Sequence, residues 1–321
     1  MFCRAVTMSL LSSTRRALLG LVAGLPIFRV AQAHGPDAFT LTPQFQAGQG
    51  HEYMMTTLQR RQGAVSRHAR SRVRLEVVAP HGDGWRLRWM EMDSELLEPP
   101  VPSSALADPW DRVAIDFFIS AQGDFHGLAD PEAMRARMEA TVEGQLAQMA
   151  LDPGNAPQMP QIRAAMRQFV DNPDFLGQQL LKQPKLLLGA VGRDYRVGEP
   201  LELRGGVPSP LGTGEIPMLA RFNVRSADAR RVSLGWLMVV DRQSTARTLA
   251  AELQPIMDAA QTEGQEALQM DAALAGFDFD ERGDYVVDAE TAWPLQVSSE
   301  RRSAAGDLER VDSVELVRVP G

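Results

Sequence analysis

The side chains that could do chemistry in this chain are sparse and scattered. One acidic run, Asp278-Phe279-Asp280-Glu281-Arg282-Gly283-Asp284, opens like a calcium loop, with carboxylates at positions one, three and seven and glycine at six. Positions five and twelve are Arg282 and Ala289, which cannot supply the oxygens such a loop requires, so a charged hairpin turn is expected there. No Gly-x-Ser-x-Gly elbow, His-Glu-x-x-His pair, phosphate loop or Rossmann glycine run occurs. Ser209, Thr213 and Ser244 stand without a histidine near them in sequence. No catalytic residue is assigned, and an enzyme is not the expected class. Methionine is frequent, with 15 in all, and Met134, Met138 and Met149 share one helical stripe. Thioethers at that spacing fill a core or line a plastic apolar pocket, and binding of reduced copper is a third use.

The N-terminus says where the protein works. Ser13-Thr14-Arg15-Arg16-Ala17-Leu18-Leu19 sets paired arginines before an apolar stretch, Leu18 to Ile27. Ala31-Gln32-Ala33 then offers small residues at the two positions a signal peptidase reads. The pattern resembles a twin-arginine signal peptide, which implies removal of residues 1–33, folding before export and a periplasmic destination. Pro26 and Arg29 interrupt the apolar run, which is short for an uncleaved anchor. Cleavage after Ala33 would remove four arginines and no acidic residue, making a chain of formal charge −8 more negative still. It would also remove Cys3, the single cysteine, leaving no disulfide, thiol nucleophile or lipid-bearing cysteine. No later run of about 18 apolar residues follows, so residues 34–321 are expected to form a soluble exported domain without a membrane span. Its acidic balance argues against nucleic acid and anionic membrane as partners.

Cleavage would make His34 the first residue. Its amine and imidazole nitrogen together form a chelate that suits copper. This resembles the histidine brace of copper-dependent oxygenases and exported copper carriers, which implies a further ligand from among His51, His68, His81 and His126. Nothing in the spacing selects one. His34 is therefore the metal candidate, and no resident cofactor is assigned.

The elements that must position these residues are mostly strands. Val73, Leu75 and Val77 alternate with Arg72, Arg74 and Glu76, and after the turn His81-Gly82-Asp83-Gly84 the alternation resumes at Trp85, Leu87 and Trp89. Pairing Ala79 with Trp85 sets Val77 opposite Leu87, Leu75 opposite Trp89 and Glu76 opposite Arg88. A second hairpin places Phe222 and Val224 against Val232, Leu234, Trp236 and Met238, with the turn at Ser226 to Arg230. Asp130-Pro131 starts a helix through Met149, and Pro153-Gly154 ends it. Ile162, Met166 and Phe169 mark a second helix. Leu180 and Leu181 belong to a short third piece broken by Pro184, and Thr245 to Leu274 reads as a fourth, with Leu249, Leu253, Ile256 and Met257 apolar.

Phe117 to Phe125 can be laid over Phe277 to Tyr285, each ending in Gly-Asp-aromatic, so 37–152 and 193–321 are candidate half-repeats. The order of strands, helices and strands predicts an α+β protein with a twisted or curved antiparallel sheet and helices packed on its apolar face. That pattern resembles periplasmic lipoprotein carriers of the half-barrel type, which implies an apolar cavity for acyl chains or another lipid-like ligand. Trp85, Trp89, Met134, Met138 and Trp236 are the residues expected inside it. Arg70, Arg72, Arg74, Arg86 and Arg88 form an arginine-rich outer face, which a non-enzymatic envelope scaffold would use for a protein partner.

Overall fold

The computed structural model describes residues 38–98, 112–150, 159–160, 163, 167, 170, 173–208, 215–241, 244–245, 247–248, 250–251, 278–305 and 308–320. Both hairpins form. The first joins β3 (Ala64–His81) to β4 (Gly84–Glu98) and sets Leu75 opposite Trp89, Glu76 opposite Arg88 and Val77 opposite Leu87. Nearer the turn the expected pairing fails by one residue, and Trp85 faces Pro80 instead of Ala79. His81 pairs with Gly84 across a two-residue turn whose Gly82 sits at φ +57. That turn and the buried alternation disagree by one residue, and a bulge between Val77 and Ala79 absorbs the difference. The second hairpin joins β9 (Glu215–Ala227) to β10 (Arg231–Val240), pairing Phe222 with Trp236 and Val224 with Leu234. Its turn is held by the Asp228 carboxylate, which accepts from the backbone N–H groups of Arg230 at 2.8 Å and Arg231 at 2.9 Å.

Among the described residues eleven strands form one antiparallel sheet. One meander runs from the centre outward through β2 (Gly50–Arg61), β3, β4, β5 (Ala114–Ile119) and β6 (Phe125–Leu128). The other runs from the opposite edge inward through β8 (Leu201–Pro208), β9, β10, β11 (Asp278–Asp288), β12 (Pro294–Ala305) and β13 (Leu308–Arg318). β13 pairs with β2 and joins the two. The sheet does not close, because β6 and β8 remain its edges.

It is nevertheless strongly curled. Val191 O lies 3.2 Å from where a Cβ on Gly123, in the β5–β6 turn, would stand. The carbonyl of the adjacent Ala190 accepts from Tyr195 Oη at 2.8 Å, and the Tyr195 ring sits 6.3 Å from that of Phe222 on β9. These contacts link the β5–β6 turn to β9, strands that a flat sheet would hold about 40 Å apart. Arg193 reinforces the bridge by donating to Asp124 at 2.9 Å. A two-stranded ribbon, β1 (Ala38–Thr40) with β7 (Asp194–Arg196), lies across the concave side.

Among the described residues the helices are less central than expected. Helix α1 (Pro131–Met149) begins as read, with the Asp130 carboxylate accepting from the Ala133 N–H at 3.0 Å. Its Val142 and Leu146 form a small separate cluster with Val170, and only Met134 and Met138 lean on the main core. The protein is therefore dominated by its sheet, and helix α1 is not a layer over the apolar face. Helix α2 (Pro173–Leu180) and helix α3 (Lys182–Leu188) supply what covers that face. Pro184 does not break the latter; it sits in the first turn, where a missing N–H costs nothing. Ile162, Met166, Phe169, Leu249, Leu253, Ile256 and Met257 lie outside the described residues, as do residues 1–37 with the export signal and His34.

The two phrases matched as a repeat adopt different local structures. Gly123 lies in a turn at φ +83, whereas Gly283 lies within β11. The acidic run from Asp278 is accordingly part of a strand, not the charged turn expected. A methyl on Gly283 would stand 1.8 Å from Ser298 O and 2.7 Å from Trp236 Nε1, so glycine there admits the indole. Four of the five arginines on the outer face are ion-paired. Arg72 pairs with Asp93, Arg74 with Glu76, and both Arg86 and Arg88 with Asp116. Burial raises the Asp116 carboxyl, but the hydrogen bonds from Arg88 and Arg86 outweigh it and hold the group below the usual carboxylate range.

The bridge across the mouth gives a direct test. Gly192 sits at φ +74, and a methyl there would fall 1.4 Å from Gln122 O. Gly192→Ala is expected to destabilise the fold by about 2–4 kcal/mol in urea unfolding, from left-handed strain plus overpacking.

Candidate functional site

The concave face has an apolar region and a charged one. The apolar region carries two aromatic groups. Trp85, Phe45, Trp293 and His51 form one, with Phe45 edge-on to Trp85 at 6.1 Å and to Trp293 at 5.1 Å. Phe39, Tyr195, Phe222, Trp236 and Tyr285 form the other, with Phe222 stacked on Trp236 at 6.4 Å. All five residues expected inside the protein belong to one continuous apolar cluster. Trp89 and Trp236 are buried, whereas Trp85, Met134 and Met138 are half-buried at its margin. Trp85 and Trp89 share β4, six strands from Trp236, so these side chains do not form one tight pocket.

Helix α3 fills the space between the groups. Its Leu186, Leu187 and Leu188, with Leu180 and Leu181 before it and Ala190 and Val191 after it, are all buried. Two buried tyrosines fasten this segment through its backbone. Tyr285 Oη donates to Leu186 O at 2.8 Å, and Tyr195 Oη donates to Ala190 O at the same distance.

Beyond α3 the inward side chains turn polar along one cross-strand row. The register places Glu281 beside Arg301, Arg301 beside Asp312, and Asp312 beside Gln59. Glu281 and Arg301 are both about 93% shielded, and the guanidinium donates twice to one carboxylate oxygen, at 2.9 and 2.7 Å. Ser299 Oγ donates to the other oxygen at 2.5 Å. Asp312 accepts from Arg310 Nε at 2.9 Å and from Gln59 Nε2 at 3.0 Å. Lys182, at the start of α3, faces this row. Arg301 and then burial bring its amine down to about 8, with Arg310 adding to the fall and Glu281 and Asp312 opposing it. Between them lies a cavity of about 20 Å³, lined by Lys182, Glu281, Ser299, Arg301 and Asp312 and closed by the apolar Leu186, Met238 and Val314.

Sequence reasoning missed this row. Its one signal was lysine usage: Lys182 and Lys185 are the only lysines in the chain, three residues apart in one short helix. Lys185 points elsewhere, 5.9 Å from the centre of the Phe125 ring on β6. The described histidines do not assemble. Burial, together with Arg318 and against the pull of Asp288, lowers His51 to about 4, and His81 stacks on Phe118. Among the described residues no three of His, Cys, Asp or Glu gather as a metal cluster. No helix among them is long and apolar enough to cross a membrane.

The geometry thus defines an open, curled antiparallel sheet with an occupied apolar concavity. No protein-family profile matches the chain, and no curated protein matches it. Among solved structures, one of lipovitellin, described by the words "lipid-protein interactions in lipovitellin", aligns over 86% of this chain with a TM-score of 0.43 and 10% identity. The chain spans 26% of that protein's length.

Two measurements test the row. Glu281→Ala leaves Arg301 buried without its partner and is expected to cost about 3–5 kcal/mol in chemical unfolding. Lys182 holds a lower value in the folded chain than the usual 10.4, so the unfolded chain binds more protons between about pH 8 and 10.4. The stability of the wild type relative to Lys182→Met should therefore rise across that window, by up to about 1.4 kcal/mol per pH unit. The raised tyrosines Tyr53, Tyr195 and Tyr285 are common to both proteins and cancel in the difference.

Proposed function

We propose that this protein is an exported, periplasmic binding or carrier protein for an apolar ligand. The observation that carries the reading is the way the concave face is filled. The strands do not close a barrel around their own side chains; the separate leucine-rich helix α3 occupies the interior. A segment that buries three consecutive leucines and is fastened by two tyrosine hydroxyls can be exchanged for an alkyl chain of similar volume. The apolar area removed from water is then comparable in the two states, worth about 25 cal/mol per Å² in each. Trp85, Trp89, Met134, Met138 and Trp236 frame the surface onto which the ligand would pack. Their mixture of rigid rings and adaptable thioethers suits a ligand without fixed shape. Export through a twin-arginine signal, with cleavage after Ala33, belongs to the same proposal.

Titration with the neutral dye N-phenyl-1-naphthylamine should show saturable binding near one dye per chain. The affinity should rise when Leu186 and Leu187 are both changed to Ala, because the helix then competes less well for its own site. Linear, unsaturable uptake by both proteins would remove the carrier reading. Intact mass of protein taken from the exported fraction should correspond to a chain beginning at His34.

A further inference from the structure

We propose that the charged row beneath α3 is a headgroup site, and that the ligand is an amphiphile bearing one negative charge. The inference deepens the carrier reading and rests on it.

The charges around the 20 Å³ cavity do not balance. Lys182, Arg301, Glu281 and Asp312 line it, and Arg310, which pairs with Asp312 from beside the cavity, makes three cations against two carboxylates. Each carboxylate already has its guanidinium, Glu281 from Arg301 and Asp312 from Arg310. Ser299 and Gln59 occupy further acceptor positions on the two carboxylates. Lys182 is the surplus cation. Among the described residues its amine makes no hydrogen bond and no ion pair, although the side chain is half-buried and placed over the row. An ammonium in such a place is costly unless an anion joins it.

The chemistry of the anion follows from the same geometry. One negative charge balances the surplus, whereas a dianion would overshoot it beside two carboxylates. A neutral headgroup would leave Lys182 as it is. The cavity admits a single oxygen-sized group, and its apolar side is made by Leu186, Met238 and Val314. Leu186 lies one turn after Lys182 on α3, so a headgroup oxygen on Lys182 directs its tail into the space that Leu186, Leu187 and Leu188 now fill, and only that end of the helix gives way while Lys182 stays over the row. A carboxylate or a phosphodiester on an alkyl chain meets these conditions.

Competition against the neutral dye, with palmitate and hexadecanol as rivals of equal chain length, tests the proposal on the full mature chain. Palmitate should displace the dye at least about tenfold more tightly than hexadecanol, the worth of one charge-assisted contact. Lys182→Met should bring palmitate to the level of hexadecanol without changing hexadecanol. Lys182→Arg should keep the preference, which a purely structural role for the lysine would not predict. Acetate at millimolar concentration should leave the preference intact; its loss there would assign the row to free small anions and overturn the proposal. Equal displacement by palmitate and hexadecanol would also overturn it while leaving the carrier reading in place. Failure of both rivals, together with unsaturable dye uptake, would remove the carrier reading itself.

Discussion

A curled sheet that does not close must have its concave face filled, and the rest of this structure follows from that requirement. Bulges and twist bring the β5–β6 turn toward β9, but β6 and β8 never pair. The volume between them cannot remain empty, because an apolar void forfeits both dispersion contacts and burial. Helix α3 and the β1–β7 ribbon take that volume. Their backbones bring polar groups into the interior, and Tyr195 and Tyr285 satisfy two of the carbonyls.

The charged row is the complementary solution at the other part of the face. Three adjacent strands place a glutamate, an arginine and an aspartate side by side in register, so each charge is met by a neighbour at the distance the sheet imposes. Buried pairs of this kind add little net stability, since desolvation offsets most of the attraction. Their effect is on specificity: they fix the register of β11, β12 and β13 and leave Lys182 as the cation of the row without a hydrogen-bonded counterpart.

Two hairpins of the sheet were legible in the sequence. Alternation in Val73 to Val77 and in Leu87 to Trp89 set the faces and most of the register, because a one-residue slip would bury arginines. The start of α1 was equally local, one carboxylate cap and one proline. The misreadings have local causes too. Gly283-Asp284 looks like turn chemistry, yet the glycine serves close packing of Trp236 inside a strand. Pro184 looks like a breaker, yet it occupies the one turn of a helix that tolerates it. The match between Gly123 and Gly283 compared two glycines with different reasons for being glycine.

The sequence by itself determined two hairpins, their inward faces, the capped start of α1 and five residues of the apolar cluster. All of these depend on neighbours within a few positions, where periodicity and turn chemistry act. Only the tertiary structure decided which segment fills the concave face, and which charges meet beneath it. Lys182, Glu281, Arg301 and Asp312 lie on four elements separated by up to 130 positions, and no local period connects them. The curvature of the sheet, summed over eleven strands, brings them to one cavity.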